Sequence, residues 1–260
     1  MSDHISVSRE SSVLRLAFNR PEKKNAITAA MYAVLADALA EAEGDEAVRA
    51  VVFESKGDVF TSGNDIADFM AGTASLGAEG EKPPVIRFLE AIATAEKPLI
   101  AAVQGPAVGV GVTMLLHCDL VYASEAATFH TPFVDLALVP EAASSFLLPQ
   151  IAGHQRAAEM LILGKKIGAA RARELGFVNE AVAPDALEET ALASARAIAE
   201  KAPAAMKLTK QLMKDGNRED ILARMKEEGA HFAAQLQSAE FREAGMAFMQ
   251  KRKPDFSKLG

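Results

Sequence analysis

The chain has 260 residues and a formal net charge of −7, and its length suits one large domain or two small ones. The negative charge argues against non-specific binding to nucleic acid, which depends on clustered lysine and arginine, and the 50% content of hydrophobic residues excludes a disordered chain. Cys118 is the only cysteine, which excludes an intrachain disulfide and a cysteine-based zinc site. No apolar run approaches the roughly 18 residues that cross a bilayer, and the N-terminus has no apolar signal-peptide segment, so we expect a cytoplasmic protein without a membrane partner.

The first half of the chain alternates strand-like and helix-like segments. Residues 5–10 and 13–19 alternate apolar and polar side chains, which predicts a hairpin. A helix is predicted over residues 25–44, with Thr28 as its N-cap. This alternation indicates an α/β core with largely parallel sheets. Further strands are predicted at residues 48–54, 99–103, 120–123 and 128–129, and further helices at residues 84–96 and 113–117.

From about residue 143 onward helix follows helix, with residues 178–182 as the only good strand. The apolar faces of the last helices exceed what a closed core buries, and such surfaces normally mark subunit contacts. We therefore predict an α/β core that holds the active site over residues 1–200, and a helical region that forms a homo-oligomer over residues 201–260. Helices are predicted at residues 184–200, 203–214, 218–236 and 239–251.

Two glycine-containing loops each follow a strand and precede a helix. The first runs from Ser62 through Gly63 and Asn64 to Asp65, and the second spans residues 104–111. Amide N–H groups at a helix start are unpaired, and glycine lets the backbone approach a ligand closely. Each loop alone is better explained as a structural turn, and the second lacks the pattern of a phosphate or dinucleotide site. Together, the loops could direct two N–H groups at one developing oxyanion.

Glu141 is the candidate general base. It follows the apolar residues 136–139, and a carboxyl group in apolar surroundings has a raised pKa that suits proton transfer. A structural role is also open, because the helix dipole stabilises a glutamate at a helix start. Asp135 is the nearest other carboxylate in sequence and the rival base. His130 is as readily structural as catalytic, and His117 is interpreted as a core residue.

These motifs resemble those of the crotonase-fold acyl-CoA enzymes, the enoyl-CoA hydratase/isomerase superfamily, in consistent order over nearly the whole chain. The resemblance implies a crotonase spiral of ββα units with a C-terminal helical region, assembled as a trimer or as a hexamer of two trimers. Within the superfamily, most of the matching segments resemble the second, peroxisomal type of Δ3,Δ2-enoyl-CoA isomerase. The segments that resemble these isomerases are residues 60–65, 105–109 and 127–133, Pro140-Glu141 and Ser144-Ser145. The segments that resemble the superfamily in general are Asn19-Arg20-Pro21, Asn25-Ala26-Ile27 and residues 251–254.

Two positions separate this chain from the hydratases of the superfamily. Hydratases hold and activate a water with two glutamates, and Thr113 and Phe133 stand at those positions here. Neither side chain can act as a base, which argues against hydration. Moving a double bond needs one base that takes a proton from C2 and returns it to C4, and Glu141 matches the catalytic glutamate of the isomerases. The resemblance therefore implies conversion of 3-enoyl-CoA to 2-enoyl-CoA through a thioester enolate, in fatty-acid β-oxidation.

The same resemblance assigns roles to further residues. The N–H groups of Asn64 and Val110 would form an oxyanion hole, and Glu141 would shuttle the proton. No metal or redox cofactor is implied, because CoA arrives as part of the substrate. Residues expected to contact the acyl-CoA are Lys24, Ala26, Ser62, Ile66, Gly109, Phe133, Phe232 and Lys251.

Three alternatives stay open from the sequence. The protein could be a hydratase that uses Glu141 with another acid, or an isomerase that acts on a ring-derived acyl-CoA. It could also be a non-catalytic acyl-CoA-binding protein, although the presence of Glu141 argues against that. Lys24 and Lys251 are equally consistent with surface charges that have no function.

Overall fold

The computed structural model describes residues 3–65, 68, 82–250 and 252–258. The strands are β1 (Ile5–Glu10), β2 (Val13–Phe18), β3 (Ala50–Ser55), β4 (Leu99–Val103), β5 (Ala107–Val108), β6 (Leu120–Ser124), β7 (Thr128–His130), β8 (Ile167–Gly168) and β9 (Glu180–Val182). The α-helices are α1 (Ala29–Gly44), α2 (Pro84–Thr94), α3 (Val110–Thr113), α4 (Ser144–Ala152), α5 (His154–Leu161), α6 (Ala169–Leu175), α7 (Leu187–Ala199), α8 (Pro203–Leu236) and α9 (Ala239–Met249).

The larger sheet has the strand order β1-β2-β3-β4-β6-β9. β1 and β2 form the predicted antiparallel hairpin, with Ile5 opposite Phe18, and every later pair in this sheet is parallel. The smaller sheet has the order β5-β7-β8, and β5 lies parallel to β7. The prediction of an α/β fold with largely parallel pairing is therefore confirmed.

Both faces of the larger sheet are covered by helices. In β3, Val51 and Phe53 belong to the main hydrophobic core, which also contains the apolar residues of α1 and α2. Ala50 and Val52 point to the opposite face and pack with residues of α7 in a second core. A parallel strand buried on both faces is expected to be apolar throughout, as residues 50–53 are.

Several predicted helix boundaries are wrong, and two of these errors have a clear physical reason. α1 begins at Ala29 instead of residue 25, although Thr28 does cap it by accepting a hydrogen bond from Met31 N at 3.3 Å. Asn25 is in the left-handed region, and its side-chain amide donates to Lys56 O and Val59 O, so this residue belongs to a turn. The two helices predicted at 203–214 and 218–236 form the single 34-residue helix α8.

The C-terminal helical region is attached to the core through α8. Lys210 is buried and its ammonium group donates to Asp119 Oδ2 at 2.7 Å and to Lys97 O at 2.5 Å. Lys214 donates to His117 O at 2.8 Å. Over the described part of the chain, no helix combines the length and apolarity needed to cross a bilayer.

Candidate active site

The first glycine loop presents the amide of Asn64. Residues 27 and 64 form a parallel bridge in which Ile27 N donates to Gly63 O at 2.8 Å and Asp65 N donates to Ile27 O at 2.9 Å. Parallel pairing through Gly63 and Asp65 turns the N–H of Asn64 away from this bridge. Among the described residues, that N–H has no acceptor.

The second glycine loop lies directly against the first. Gly63 has φ +86°, and a Cβ added there would come within 2.9 Å of Val108 O, so only glycine fits. Gly109 N donates to His130 O at 2.9 Å, and the next residue, Val110, is the first residue of α3. The first N–H groups of a helix have no intrahelical acceptor, and the described residues provide none for Val110. The two loops thus offer two unpaired amides.

The side chain of Asn64 has a partner that the sequence did not predict. Tyr32 in α1 is buried, and its hydroxyl donates a hydrogen bond to Asn64 Oδ1. Burial raises the pKa of Tyr32 well above its ordinary value, and the charge of Glu141 acts in the same direction. A buried tyrosine usually has a hydrogen-bond partner. The position of Tyr32 among apolar residues of α1 could therefore have indicated that its hydroxyl binds a polar group.

The carboxyl group of Glu141 meets α3 at its last residue. Thr113 is buried and its hydroxyl donates to Glu141 Oε1. The pKa of Glu141 is raised to about 8, chiefly by burial; the hydrogen bond from Thr113 opposes this rise, and the nearby charge of Glu228 adds to it. This glutamate therefore exchanges a proton near neutral pH, as its apolar surroundings in the sequence led us to expect.

Two neighbouring cavities connect these groups. The first, of about 450 Å³, is bordered by both glycine loops and includes Asn64 and Val110 in its wall. The second, of about 830 Å³, lies between α2 and α8 and is bordered by Glu141. Asn64 and Phe232 border both cavities, so the unpaired amides and the carboxyl group face adjoining spaces. Ser62, Gly109 and Phe133 also line the first cavity.

The other predicted substrate residues are placed less directly. Lys24 is exposed and Ala26 is partly buried, and neither borders the two cavities. They adjoin the first loop, because Ser62 N donates to Lys24 O at 3.0 Å. Ile66 and Lys251 lie outside the described residues.

The structure separates the two candidate bases. The segment Val134–Leu136 is a 3-10 helix, and Asp135 is exposed at the edge of the first cavity. Glu141 is the carboxyl group that is held against buried polar partners. His130 borders the first cavity, and burial lowers its pKa. Within the described ranges, no three His, Cys, Asp or Glu side chains are grouped so that they could hold a metal ion.

The sequence also missed Glu228. This residue of α8 is buried and accepts hydrogen bonds from Ala143 N and Ser145 N, just after Glu141. Its spacing contained a signal, because Ile221, Met225 and Phe232 form an apolar helix stripe that includes position 228. A glutamate in such a stripe is buried only with partners.

Known proteins with similar sequences and structures show to which family the chain belongs. Residues 8–258 match the family model described as Enoyl-CoA hydratase/isomerase. Enoyl-CoA delta isomerase 2 of Rattus norvegicus is 38% identical over 96% of this chain, and the chain spans only 64% of that relative. The 1,2-epoxyphenylacetyl-CoA isomerase of Escherichia coli strain K12 is 32% identical over 95% of this chain and 96% of its own.

A solved structure, the enoyl-CoA hydratase/isomerase from Pseudoalteromonas atlantica T6c, is 45% identical. It superimposes with a TM-score of 0.93 and covers 98% of this chain and 100% of its own. This agreement confirms the predicted crotonase fold. The chain belongs to the enoyl-CoA hydratase/isomerase family.

Proposed function

We propose that this protein is an isomerase that moves the double bond of a 3-enoyl-CoA to give a 2-enoyl-CoA. The observation that carries the proposal is one partly buried carboxyl group, Glu141, at a cavity that adjoins the one bordered by two unpaired amides. Thr113 and Phe133, at the positions of the hydratase glutamates, carry no carboxylate. The 38% identity to an enoyl-CoA delta isomerase supports the same reaction.

The two amides would act on the thioester oxygen. Removing the C2 proton turns the thioester carbonyl into an enolate, whose negative charge develops on oxygen. In the proposed complex, the N–H groups of Asn64 and Val110 donate to that oxygen and form an oxyanion hole. Each such donor typically lowers the barrier by about 3–4 kcal/mol. Because both donors are in the main chain, their effect depends on the loops and not on side-chain chemistry.

Glu141 would carry the proton between the two carbons. Its carboxylate takes the proton from C2, and the resulting acid gives it to C4, which leaves the double bond between C2 and C3. A pKa of about 8 suits both steps, since a general acid–base catalyst is most effective when its pKa lies near the working pH. The hydroxyl of Thr113 holds one carboxyl oxygen while the other is free to transfer the proton.

The second cavity would hold the acyl chain. Its wall is formed largely by apolar side chains of α2 and α8, among them Val85, Leu89, Met225 and Leu236. An apolar cavity of about 830 Å³ that begins at Glu141 suits an extended hydrocarbon chain. We place CoA at the first glycine loop, next to Lys24, and it enters as part of the substrate without a separate cofactor.

The proposal extends to assembly and cellular role. The outer face of α8 leaves Leu208, Leu212 and Met213 exposed by 57%, 82% and 77%, which supports a trimer or a hexamer of two trimers. We assign the reaction to cytoplasmic fatty-acid β-oxidation, since a 3-enoyl thioester must become a 2-enoyl thioester before water can add at C3.

The test is incubation with a 3-enoyl-CoA and a 2-enoyl-CoA in parallel. Conjugation of the first substrate is followed by ultraviolet absorbance, and hydration of the second by loss of that absorbance. We expect conjugation to be much faster than hydration. Hydration at an equal or higher rate would show that the reaction has been assigned wrongly.

One other isomerisation has an observation in its favour. The chain spans 96% of a 1,2-epoxyphenylacetyl-CoA isomerase, against 64% of the enoyl-CoA delta isomerase. A ring-derived acyl-CoA is therefore the second candidate substrate. A panel that includes both thioesters decides between them by comparing kcat/KM values.

A further inference from the structure

The backbone immediately after Glu141 is unusual. Ala142 and Ala143 both have φ +56°, the left-handed region that residues with a Cβ rarely adopt. Two such residues in succession persist only when their surroundings hold them. Because the turn directly follows Glu141, whatever holds the turn also sets the direction of that carboxyl group.

Glu228 holds the turn from one side. Its carboxylate oxygens accept hydrogen bonds from Ala143 N at 2.6 Å and from Ser145 N at 3.0 Å. These amides are at the start of α4, where helix N–H groups lack partners, and Ala143 at the N-cap has no side chain that could cap them. Glu228 is thus a helix cap supplied from α8, 85 residues away from Ala143 in sequence.

His117 holds the turn from the other side. Its Nε2 lies 2.8 Å from Ala142 O. Burial lowers the pKa of His117 to about 4, so the ring is neutral at physiological pH. Since a carbonyl oxygen only accepts, Nε2 carries the hydrogen and donates it to Ala142.

We propose that Glu228 is a positioning residue for Glu141, because it fixes the left-handed turn that directs the Glu141 carboxyl group into the second cavity. The inference rests on the proposed role of Glu141 as the proton carrier. Glu228 does not touch the reacting atoms: it acts through the turn, and its charge also raises the pKa of Glu141. Its neighbours on the same face of α8, Met225 and Phe232, line that cavity.

The attachment of α8 does not depend on Glu228 alone. Lys210 is bound to Asp119 and Lys97, and Lys214 is bound to His117, at the other end of the helix. A variant at position 228 should therefore keep the fold while losing the hold on the turn. The effect of Glu228 on the turn can therefore be tested without detaching α8 from the core.

The test compares Glu228→Ala and Glu228→Gln with Glu227→Ala as matched control. Glu227 is the exposed neighbour, paired with Arg224 at 3.4 Å. We expect Glu228→Ala to lower kcat about 100-fold, the effect of a misplaced catalytic group, with KM within about threefold of wild type. Glu228→Gln keeps one acceptor oxygen, so it should lose only about tenfold. The control should keep wild-type kcat and KM.

Hydrogen exchange at the amides of Ala143 and Ser145 provides a second readout. Both should exchange slowly in the wild type and fast in Glu228→Ala, while the other protected amides are unchanged. A Glu228→Ala variant with wild-type kcat overturns the inference, as does one in which kcat, KM and exchange throughout the protein change together. If Glu228→Ala does not fold, the same criteria apply to Glu228→Gln.

The outcome is separable from failure of the proposed function. If the wild type isomerises no 3-enoyl-CoA, the proposed function is wrong, and exchange at Ala143 and Ser145 alone decides whether Glu228 holds the turn. Fast exchange in Glu228→Ala then supports that role, and unchanged exchange overturns it.

Discussion

Replacing Glu141 with glutamine would remove the proposed base and leave almost everything else in place. Glutamine has nearly the same size, and its Oε1 can still accept the hydrogen bond that Thr113 donates to Glu141 Oε1. It cannot accept the C2 proton. Thr113 and Phe133 at the hydratase positions cannot take over as bases, and Asp135 is exposed at the edge of the first cavity.

The expected loss follows from the role of a general base. Such a group contributes about 10²-fold to 10⁴-fold to the rate, which corresponds to about 2.7–5.4 kcal/mol of barrier at 1.36 kcal/mol per factor of ten. Binding of acyl-CoA should change little, because the amides of Asn64 and Val110 and the walls of both cavities are untouched. We therefore expect kcat to fall 100-fold or more, at about constant product affinity.

The assay measures turnover of a 3-enoyl-CoA and the dissociation constant of the 2-enoyl-CoA product for each variant. Asp135→Asn is the matched control, since it removes a nearby carboxylate that faces the first cavity. That variant should retain most of the wild-type turnover. The reasoning is refuted if Glu141→Gln keeps more than about a tenth of wild-type turnover, well short of the loss of a base, or if Asp135→Asn is the inactive variant.

Three further outcomes are expected. Because the pKa of Glu141 is raised to about 8, kcat/KM should rise with pH through that value. Thr113→Val should move this rise to higher pH, since the hydrogen bond from Thr113 lowers the pKa of Glu141. A flat profile of kcat/KM between pH 6 and 9 would contradict the assignment of Glu141 as the base. The folded protein holds the Glu141 proton more tightly than the unfolded chain, whose carboxyl has the ordinary value of 4.5, so this group's contribution to stability is lost as pH rises from 4.5 to about 8. In thermal melts, the melting temperature of Glu141→Gln should therefore exceed that of the wild type at pH 9 and be much closer to it at pH 4.5. An equal difference in melting temperature at the two pH values would contradict this expectation. In light scattering, we expect three or six times the chain mass of 27.6 kDa, and an active monomer would remove the proposed role of the exposed α8 residues.

The elements that the sequence predicts well are those specified by local patterns. The hairpin of β1 and β2 follows from alternating side chains, and the buried strands β3 and β4 follow from short apolar runs. The two glycine loops were also predictable, because each combines glycine with a preceding strand. The cap at Thr28 was found even though the helix start was placed too early.

The error in α8 has a tertiary cause. The gap between the two predicted helices, residues 215–217, contains Gly216, and a glycine inside a helix costs about 1 kcal/mol. Lys210 and Lys214 bind the core on one side of that glycine, and Ile221 is buried on the other. These contacts hold both halves in one helix, and the sequence near Gly216 does not reveal them.

The site depends on contacts between residues that are far apart in sequence. Tyr32 and Asn64 are 32 residues apart, and Glu228 and Ala143 are 85 residues apart. Periodicity places each residue on its own helix or loop but does not show which elements meet. For the same reason, the sequence does not show that Glu141 lies against Thr113 while Asp135 is exposed.

The most direct test of the central claim is a single turnover of 3-enoyl-CoA that carries deuterium at C2. If Glu141 removes the C2 proton and returns it to C4, part of the 2-enoyl-CoA product will carry deuterium at C4. Nuclear magnetic resonance of the product measures that fraction. A product without deuterium at C4, in which the added hydrogen comes only from the solvent, would contradict transfer by one carboxyl group.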